Sequence, residues 1–484
     1  MTLKISIHTI LFMLYFCKSS ADVNSMYYPR YHLAPPYGWM NDPNGFSYFN
    51  NEYHLFYQHN PNSSMEPGIT HWGHAKSTDL FHWEHLPIAM YPDQWFDMTG
   101  VFSGSAIVEN DTMYFFYTGN LKHANEEYDH EQYQALASSA DGVNVIKYKN
   151  NPVINGSEHQ PNIRDPKVWK HEDTYYMVIG NSFNNNTLGR VLLYSSKDMI
   201  SWEQVSVLAE SDGMLGYMWE CPDFFEINGL YVLLFSPQGT EPEGDKYNNL
   251  FQTGYIVGTF DYVTHRFNPI SKFKELDHGH DFYATQTFLD SQDRRILIAW
   301  FSMWEQNYPE RIYGWAGQMT IPRELTLSPE NDLIQKPVEE IAVVRDNVIY
   351  TAKNTYGSEA IALNDNTGEI TLKARPCSNI ELHIESEDDL AKLTISYDYN
   401  EGSVILDRGG DDGVRRTQWK PIDILIWNIF IDASSIELFC GYGEVTFSSR
   451  FFPSGNITVR LSNESFVDEI IVATMKRTVP VPED

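Results

Sequence analysis

Ser77-Thr78-Asp79-Leu80-Phe81-His82-Trp83 and Ser196-Lys197-Asp198-Met199-Ile200-Ser201-Trp202 share the pattern Ser-x-Asp-[Leu/Met]-x-x-Trp and lie two periods of a longer repeat apart. Outward from these two stretches, apolar runs rich in Tyr, Phe, Val and Ile recur about every 55 to 65 residues. They are Tyr53–Tyr57, Met113–Thr118, Thr174–Ile179, Leu230–Phe235 and Arg295–Phe301. Gly, Asn, Asp and Pro cluster between them and helical periodicity is scarce, so each run reads as an inner strand of a small antiparallel sheet. Strand groups at a fixed period suggest blades repeated around an axis, which leaves few sheet edges exposed. Five copies between about residues 28 and 335 predict a five-bladed β-propeller. The alternative is a large irregular sandwich.

Near Gln335-Lys336-Pro337 the rhythm changes. From Ile341 onward the strands alternate strictly, as in Glu381–Glu385, Lys392–Ser396 and Ser435–Phe439. Alternation of period two buries one face and solvates the other, as in a β-sandwich. The chain is therefore expected to be all-β: a propeller over residues 21–337 and a sandwich over 338–484, after a leader at 1–20.

That leader rests on Lys4, an apolar stretch from Ile5 to Cys17 and the small residues Ser19-Ser20-Ala21, a pattern of secretory signals cleaved near Ala21. The stretch is shorter than the roughly 20 apolar residues a membrane span needs. Six Asn-x-Ser/Thr sequons, at Asn62, Asn110, Asn155, Asn185, Asn456 and Asn463, fit a secreted glycoprotein. With Cys17 in the leader, three cysteines remain. Cys377 and Cys440 are candidates for a bridge, which leaves Cys221 free and buried; no metal-ligand spacing appears. Acidic residues outnumber basic ones 65 to 34, a formal charge of -31. Such a surface repels phosphate backbones and anionic lipid, so neither nucleic acid nor membrane is an expected partner, whereas a small neutral saccharide is compatible.

The stretches that open each predicted blade carry the chemistry. They are Trp39-Met40-Asn41-Asp42-Pro43-Asn44-Gly45, Phe102-Ser103-Gly104-Ser105-Ala106, Arg164-Asp165-Pro166, Trp219-Glu220-Cys221-Pro222-Asp223 and Asp281-Phe282-Tyr283-Ala284. Taken singly, Asn-Asp-Pro-Asn-Gly is a good turn and Arg-Asp-Pro a common loop tripeptide. Taken in phase, they converge on one funnel, because the innermost strands of a propeller face its axis. Two carboxyls about 5–5.5 Å apart in such a funnel would suit a retaining glycosidase, one as nucleophile and one as acid and then base.

These motifs, in this order and spacing, resemble glycoside hydrolase family 32, the invertase or β-fructofuranosidase family. Ile431-Asp432-Ala433-Ser434-Ser435-Ile436-Glu437-Leu438-Phe439 is similar to that family's sandwich motif. The resemblance covers nearly the whole mature chain. It implies a five-bladed propeller with a β-sandwich, a retaining mechanism and no cofactor. By position, Asp42 matches the nucleophile, Glu220 the acid–base and Asp165 the transition-state stabiliser. Trp219 and Cys221 are expected to wall Glu220 in apolar surface and raise its pKa, and Arg164 to keep Asp165 ionised. Trp39, Met40, Asn41, Gln58, Trp72, Phe102, Ser103 and Arg164 match substrate contacts, with Asp281, Tyr283 and Trp304 from a more variable region. The implied activity is hydrolysis of terminal β-fructofuranosyl residues, sucrose first. Fructan hydrolysis or fructosyl transfer on the same site is the near alternative, and an inactive sugar-binding homologue the remote one. The remaining histidines, His278 and His280 among them, read as surface or hydrogen-bonding groups.

Overall fold

The computed structural model describes residues 26–123, 130–156, 162–387 and 391–480; the expected leader and its cleavage position lie outside them. Five small antiparallel sheets precede two six-stranded ones. The innermost strands of the five are Gly38–Phe49, Val101–Glu109, Ile163–His171, Met218–Ile227 and Tyr283–Leu289. Each touches the next, and Tyr283–Leu289 returns to Gly38–Phe49, which closes the ring. The short strand Trp315–Ala316, from the chain after the fifth blade's second strand, adds in parallel to Gly38 and Trp39 and clips last blade to first. The ring is a propeller of five blades.

The apolar runs that revealed the repeat are inner strands of their sheets, the second strand of each blade. They fall in Glu52–Asn60, Thr112–Lys122, Thr174–Phe183, Leu230–Gln238 and Arg295–Trp300. The reason is solvation. A second strand is covered on both faces by neighbouring blades and reads as continuous apolar sequence, whereas the innermost strand must also present polar groups to the axis. The Ser-x-Asp stretches are turns between third and fourth strands. Asp79 Oδ1 accepts from Ser77 Oγ and from the Phe81 and His82 amides, and Asp198 Oδ1 does the same with Ser196, Ile200 and Ser201. Ser139 and Asp141 build the same turn in the second blade without the tryptophan, so that copy lacks the full sequence pattern.

The propeller's last strand is Leu333–Pro337, and the sandwich begins with Arg345–Tyr356. Its core is formed by the alternating inward residues of both sheets, among them Leu382, Ile384, Ile395, Trp427, Leu438 and Phe447. A buried polar seam joins it to the propeller. His32 sits between Asp432 and Glu437, at 2.8 and 2.9 Å, and Arg323 between Glu437 and Asp277, at 2.5 and 3.1 Å. Asp432 and Glu437 belong to the Ile431–Phe439 motif, whose role is thus to receive the propeller's cations. Cys377 and Cys440, the candidate pair, are not bridged: both thiols are free, because Cys440 ends an inner strand inside the sandwich core while Cys377 lies exposed. Cys221 is free and buried.

Candidate active site

Every innermost strand carries one extra residue relative to its neighbour, at the same level. The register slips between Met40 and Pro43, Phe102 and Gly104, Arg164 and Lys167, Glu220 and Asp223, and Tyr283 and Gln286. These are β-bulges, which bend a strand and re-aim its side chains. The bulge residues Asp165, Cys221 and Ala284 all have positive φ, at 67°, 47° and 53°. Proline follows three of the bulge positions, as Pro43, Pro166 and Pro222, where the ladder needs no amide donor. The Asp-Pro and Cys-Pro pairs are therefore the sequence trace of bulges that turn acidic side chains toward the axis.

The first bulge presents Asp42. Its Oδ1 accepts from Asn41 Nδ2 at 2.9 Å, and its Oδ2 from Ser103 Oγ of the second blade at 2.8 Å. Trp39 Nε1 donates to Asn41 Oδ1 at 2.9 Å, so the indole orients the amide that orients the carboxylate. From the third blade, Asp165 Oδ2 accepts from the Cys221 amide at 3.0 Å. The Cys221 thiol of the fourth blade touches both carboxylates, 3.5 Å from Asp42 Oδ2 and 3.7 Å from Asp165 Oδ2. Glu220, half-buried beside it, is held at both oxygens. Arg164 Nε and Nη2 converge on Oε1 at 2.9 and 2.6 Å, while Gln238 Nε2 and Tyr283 OH reach Oε2 at 2.8 and 2.5 Å. Three carboxylates from blades 1, 3 and 4 thus meet at one end of the axis.

Burial, then the negative charge of Glu220, raises the pKa of Asp42, against the hydrogen bonds from Asn41, Ser103 and Cys221. Asp165 is pushed up to about 7 by burial and by Glu220, with Arg164 pulling the other way. Arg164 was expected to serve Asp165; its side chain instead grips Glu220, and Asp165 rises. The expected apolar wall around Glu220 is also not formed. Trp219 points back into the seam between the third and fourth blades, stacked on Phe235 at 4.0 Å, and the carboxylate lies among an arginine, an amide and a phenol.

Of the other expected contacts, Phe102 lies half-buried at the level of the second bulge. Trp304, also half-buried, stacks on Trp39 at 6.2 Å. Gln58 spends its amide on the Val101 carbonyl at 2.9 Å and ties the first blade to the second. Three residues lie elsewhere. Met40 is fully buried in the core beneath the first blade, since strand neighbours alternate faces and Trp39 and Asn41 take the other one. Trp72, on a third strand, has no exposed surface and donates to the Phe102 carbonyl at 3.0 Å, so it supports the site from behind. Asp281 joins the domains, accepting from Arg408 Nη1 at 2.6 Å, the Arg450 amide at 2.7 Å and Tyr308 OH. It precedes the fifth bulge by three residues, which puts it in the approach to the strand rather than on its axial face. His278 and His280 are largely buried, and His280 bonds Ser449 Oγ and the Gly413 carbonyl, at 2.8 and 3.0 Å.

No motif in the sequence marks Gln238 as a partner of Glu220, or the Cys221 thiol and amide as partners of the aspartates. Gln238 pairs with Met218 in the hairpin behind Glu220, and only strand register reveals that it returns to the acid. Beyond the carboxylates the axis is plugged by Lys167, which reaches Asp223 Oδ2 at 3.0 Å and Gln286 Oε1 at 2.9 Å. A cavity of about 580 Å³ opens at the opposite end, among Phe46, Trp169, Tyr262 and Arg295, and none of the three site carboxylates lines it.

Two family models match the chain. Glycosyl hydrolases family 32 N-terminal domain covers residues 32–337, and Glycosyl hydrolases family 32 C terminal covers residues 342–476. A sucrose-6-phosphate hydrolase of Escherichia coli is 39% identical over 88% of this chain and 90% of its own length. A raffinose invertase of Escherichia coli is 38% identical over 91% and 92%. The Bombyx mori GH32 β-fructofuranosidase, solved also as a variant in complex with sucrose, is 43% identical with a TM-score of 0.89. The complex covers 99% of this chain and 100% of that one.

Proposed function

The chain belongs to glycosyl hydrolase family 32, and from that premise we propose that it is a secreted, retaining β-fructofuranosidase that hydrolyses sucrose to glucose and fructose. The observation that carries the reading is the meeting of Asp42, Asp165 and Glu220 around Cys221, with Asp42 and Glu220 held differently. Asp42 is largely buried and keeps only three hydrogen-bond donors, so little water has to be displaced before it attacks the anomeric carbon of the fructosyl unit. Glu220 donates its proton to the departing glucosyl oxygen, and its carboxylate then removes a proton from the water that releases fructose. Asp165, fixed by the Cys221 amide, binds fructosyl hydroxyls as positive charge develops on the ring.

The printed names of the relatives support sucrose as the fructosyl donor. Neutral sucrose is favoured over its 6-phosphate by charge. The site carries three carboxylates, Arg164 is already paired with Glu220, and the chain bears -31 overall, a field that disfavours a phosphate dianion. Secretion is supported by the sequons: all six asparagines lie exposed. Material secreted from a eukaryotic host that loses no mass on deglycosylation would count against that part.

Turnover of sucrose, with methanol as competing acceptor, tests the chemistry. The expected product is the β-methyl fructoside, and Asp42→Ala or Glu220→Ala should each cut turnover by several orders of magnitude without loss of the folded state. The α-anomer, or near-normal activity in either variant, refutes the assignment.

A further inference from the structure

The axial cavity opposite the carboxylates has a volume of about 580 Å³, and the innermost strands of all five blades line it. Lys167 separates it from the catalytic funnel, its ammonium held by Gln286, the Thr287 carbonyl and Asp223. Small-molecule pockets span roughly 300 to 1,000 Å³, so the cavity is large enough for one. Aromatic rings supply fixed walls. Trp169 Nε1 donates to Tyr262 OH at 3.0 Å, His171 lies flat on the Tyr262 ring at 3.6 Å, and Phe46 meets Phe288 edge-on. Walls already locked against one another lose little freedom when a ligand arrives.

The charges in the lining are unevenly matched. Lys167 is paired with Asp223 and Lys170 with Glu109, at 3.0 and 2.6 Å. Arg295 is not so paired. It begins the fifth blade's second strand, opposite Leu289, where the innermost strand ends. Its guanidinium lies over the Phe225 ring of the fourth blade, 4.7 Å from the centroid, and its buried Nε has no hydrogen-bond partner among the described residues. Asp223, the carboxylate whose charge it feels, is held instead by Lys167 and by the amide and hydroxyl of Thr287. Glu226, the acidic residue among the described lining, is exposed and accepts from Tyr231 OH at 3.2 Å. A cation drawn partly out of water without an ion pair costs free energy that an incoming anion recovers. We propose that this cavity is a second, non-catalytic site for a small aromatic carboxylate, its ring between the aromatic walls and its charge on Arg295. A planar guanidinium matches the two oxygens of a carboxylate, and the rings around it match a flat apolar body.

Calorimetric titration of the full chain with 2-naphthoate, and with its neutral counterpart 2-naphthamide, tests the site. Naphthoate should bind one to one with a Kd below about 1 mM, and naphthamide about tenfold more weakly or worse. Arg295→Gln should weaken naphthoate about tenfold and leave naphthamide unchanged. In a ring of five, the second blade faces the seam between the fourth and fifth across the axis. Val108→Trp, at an exposed position in the second blade's part of the wall, should therefore block both probes with Arg295 intact. Neither sucrose nor fructose should compete. No binding of naphthoate up to about 10 mM, unchanged affinity in either variant, or displacement by fructose overturns the site. Failure of the unmodified chain to hydrolyse sucrose would remove the fructosidase reading and leave this one standing.

Discussion

Replacing His32 with glutamine probes the seam between propeller and sandwich. Burial alone would lower the pKa of His32, but hydrogen bonds and charge from Asp432 and Glu437 outweigh it and raise it from 6.5 to about 9. The imidazolium is thus favoured by the folded state by about 3 kcal/mol, at about 1.4 kcal/mol for each tenfold change in proton affinity. Because the folded value lies above the unfolded one, this stabilisation is fully present below pH 6.5 and is lost as pH rises through about 9. The assay is chemical denaturation of wild type and His32→Gln between pH 6 and pH 10, followed by fluorescence and far-UV circular dichroism together. The variant should be less stable throughout, since two carboxylates lose a buried cation. Its deficit should shrink by about 3 kcal/mol from pH 6 to pH 10, as wild type loses the charge too. A deficit that does not change with pH would refute a buried imidazolium and reduce His32 to a neutral hydrogen-bonding group.

Tyr283→Phe removes one of the donors to Glu220 Oε2 and should lower kcat on sucrose about ten- to a hundredfold, with unfolding midpoint unchanged. Buried His59 and half-buried His85, each lowered to about 4 by loss of solvation above all, are neutral in the folded state. Stability should therefore fall as pH drops from 6.5 toward 4, and His85→Asn should flatten that limb in acid-denaturation curves. A thiol reagent should label Cys377 alone in the folded protein and two further cysteines, Cys221 and Cys440, only after unfolding; a native disulfide would leave fewer reactive thiols.

The recurrence of apolar runs made the propeller legible, because middle strands are buried on both faces and leave the same mark in every blade. Asp42, Asp165 and Glu220 were legible because the stretches that open successive blades carry acidic residues in phase and resemble the family's motifs. Met40 and Trp72 sit within recognisable motifs too, yet one faces the core and the other supports the site from behind. A motif string records adjacency along the chain, and in a strand adjacent side chains point in opposite directions.

The sequence by itself determined the all-β class, the repeat and the change of rhythm near residue 337, since these follow from local periodicity and turn chemistry. It also contained the three carboxylates, which the resemblance singled out. Only the tertiary structure decided that Arg164 would pair with Glu220 rather than with adjacent Asp165, that Gln238 and Tyr283 would complete the acid's hold, and that Asp281 would join the domains. Those partners are separated from one another by 18 to 127 residues and meet through strand register, bulge and domain contact. Electrostatic interaction depends on distance in space, and no local pattern encodes which distant charge arrives first.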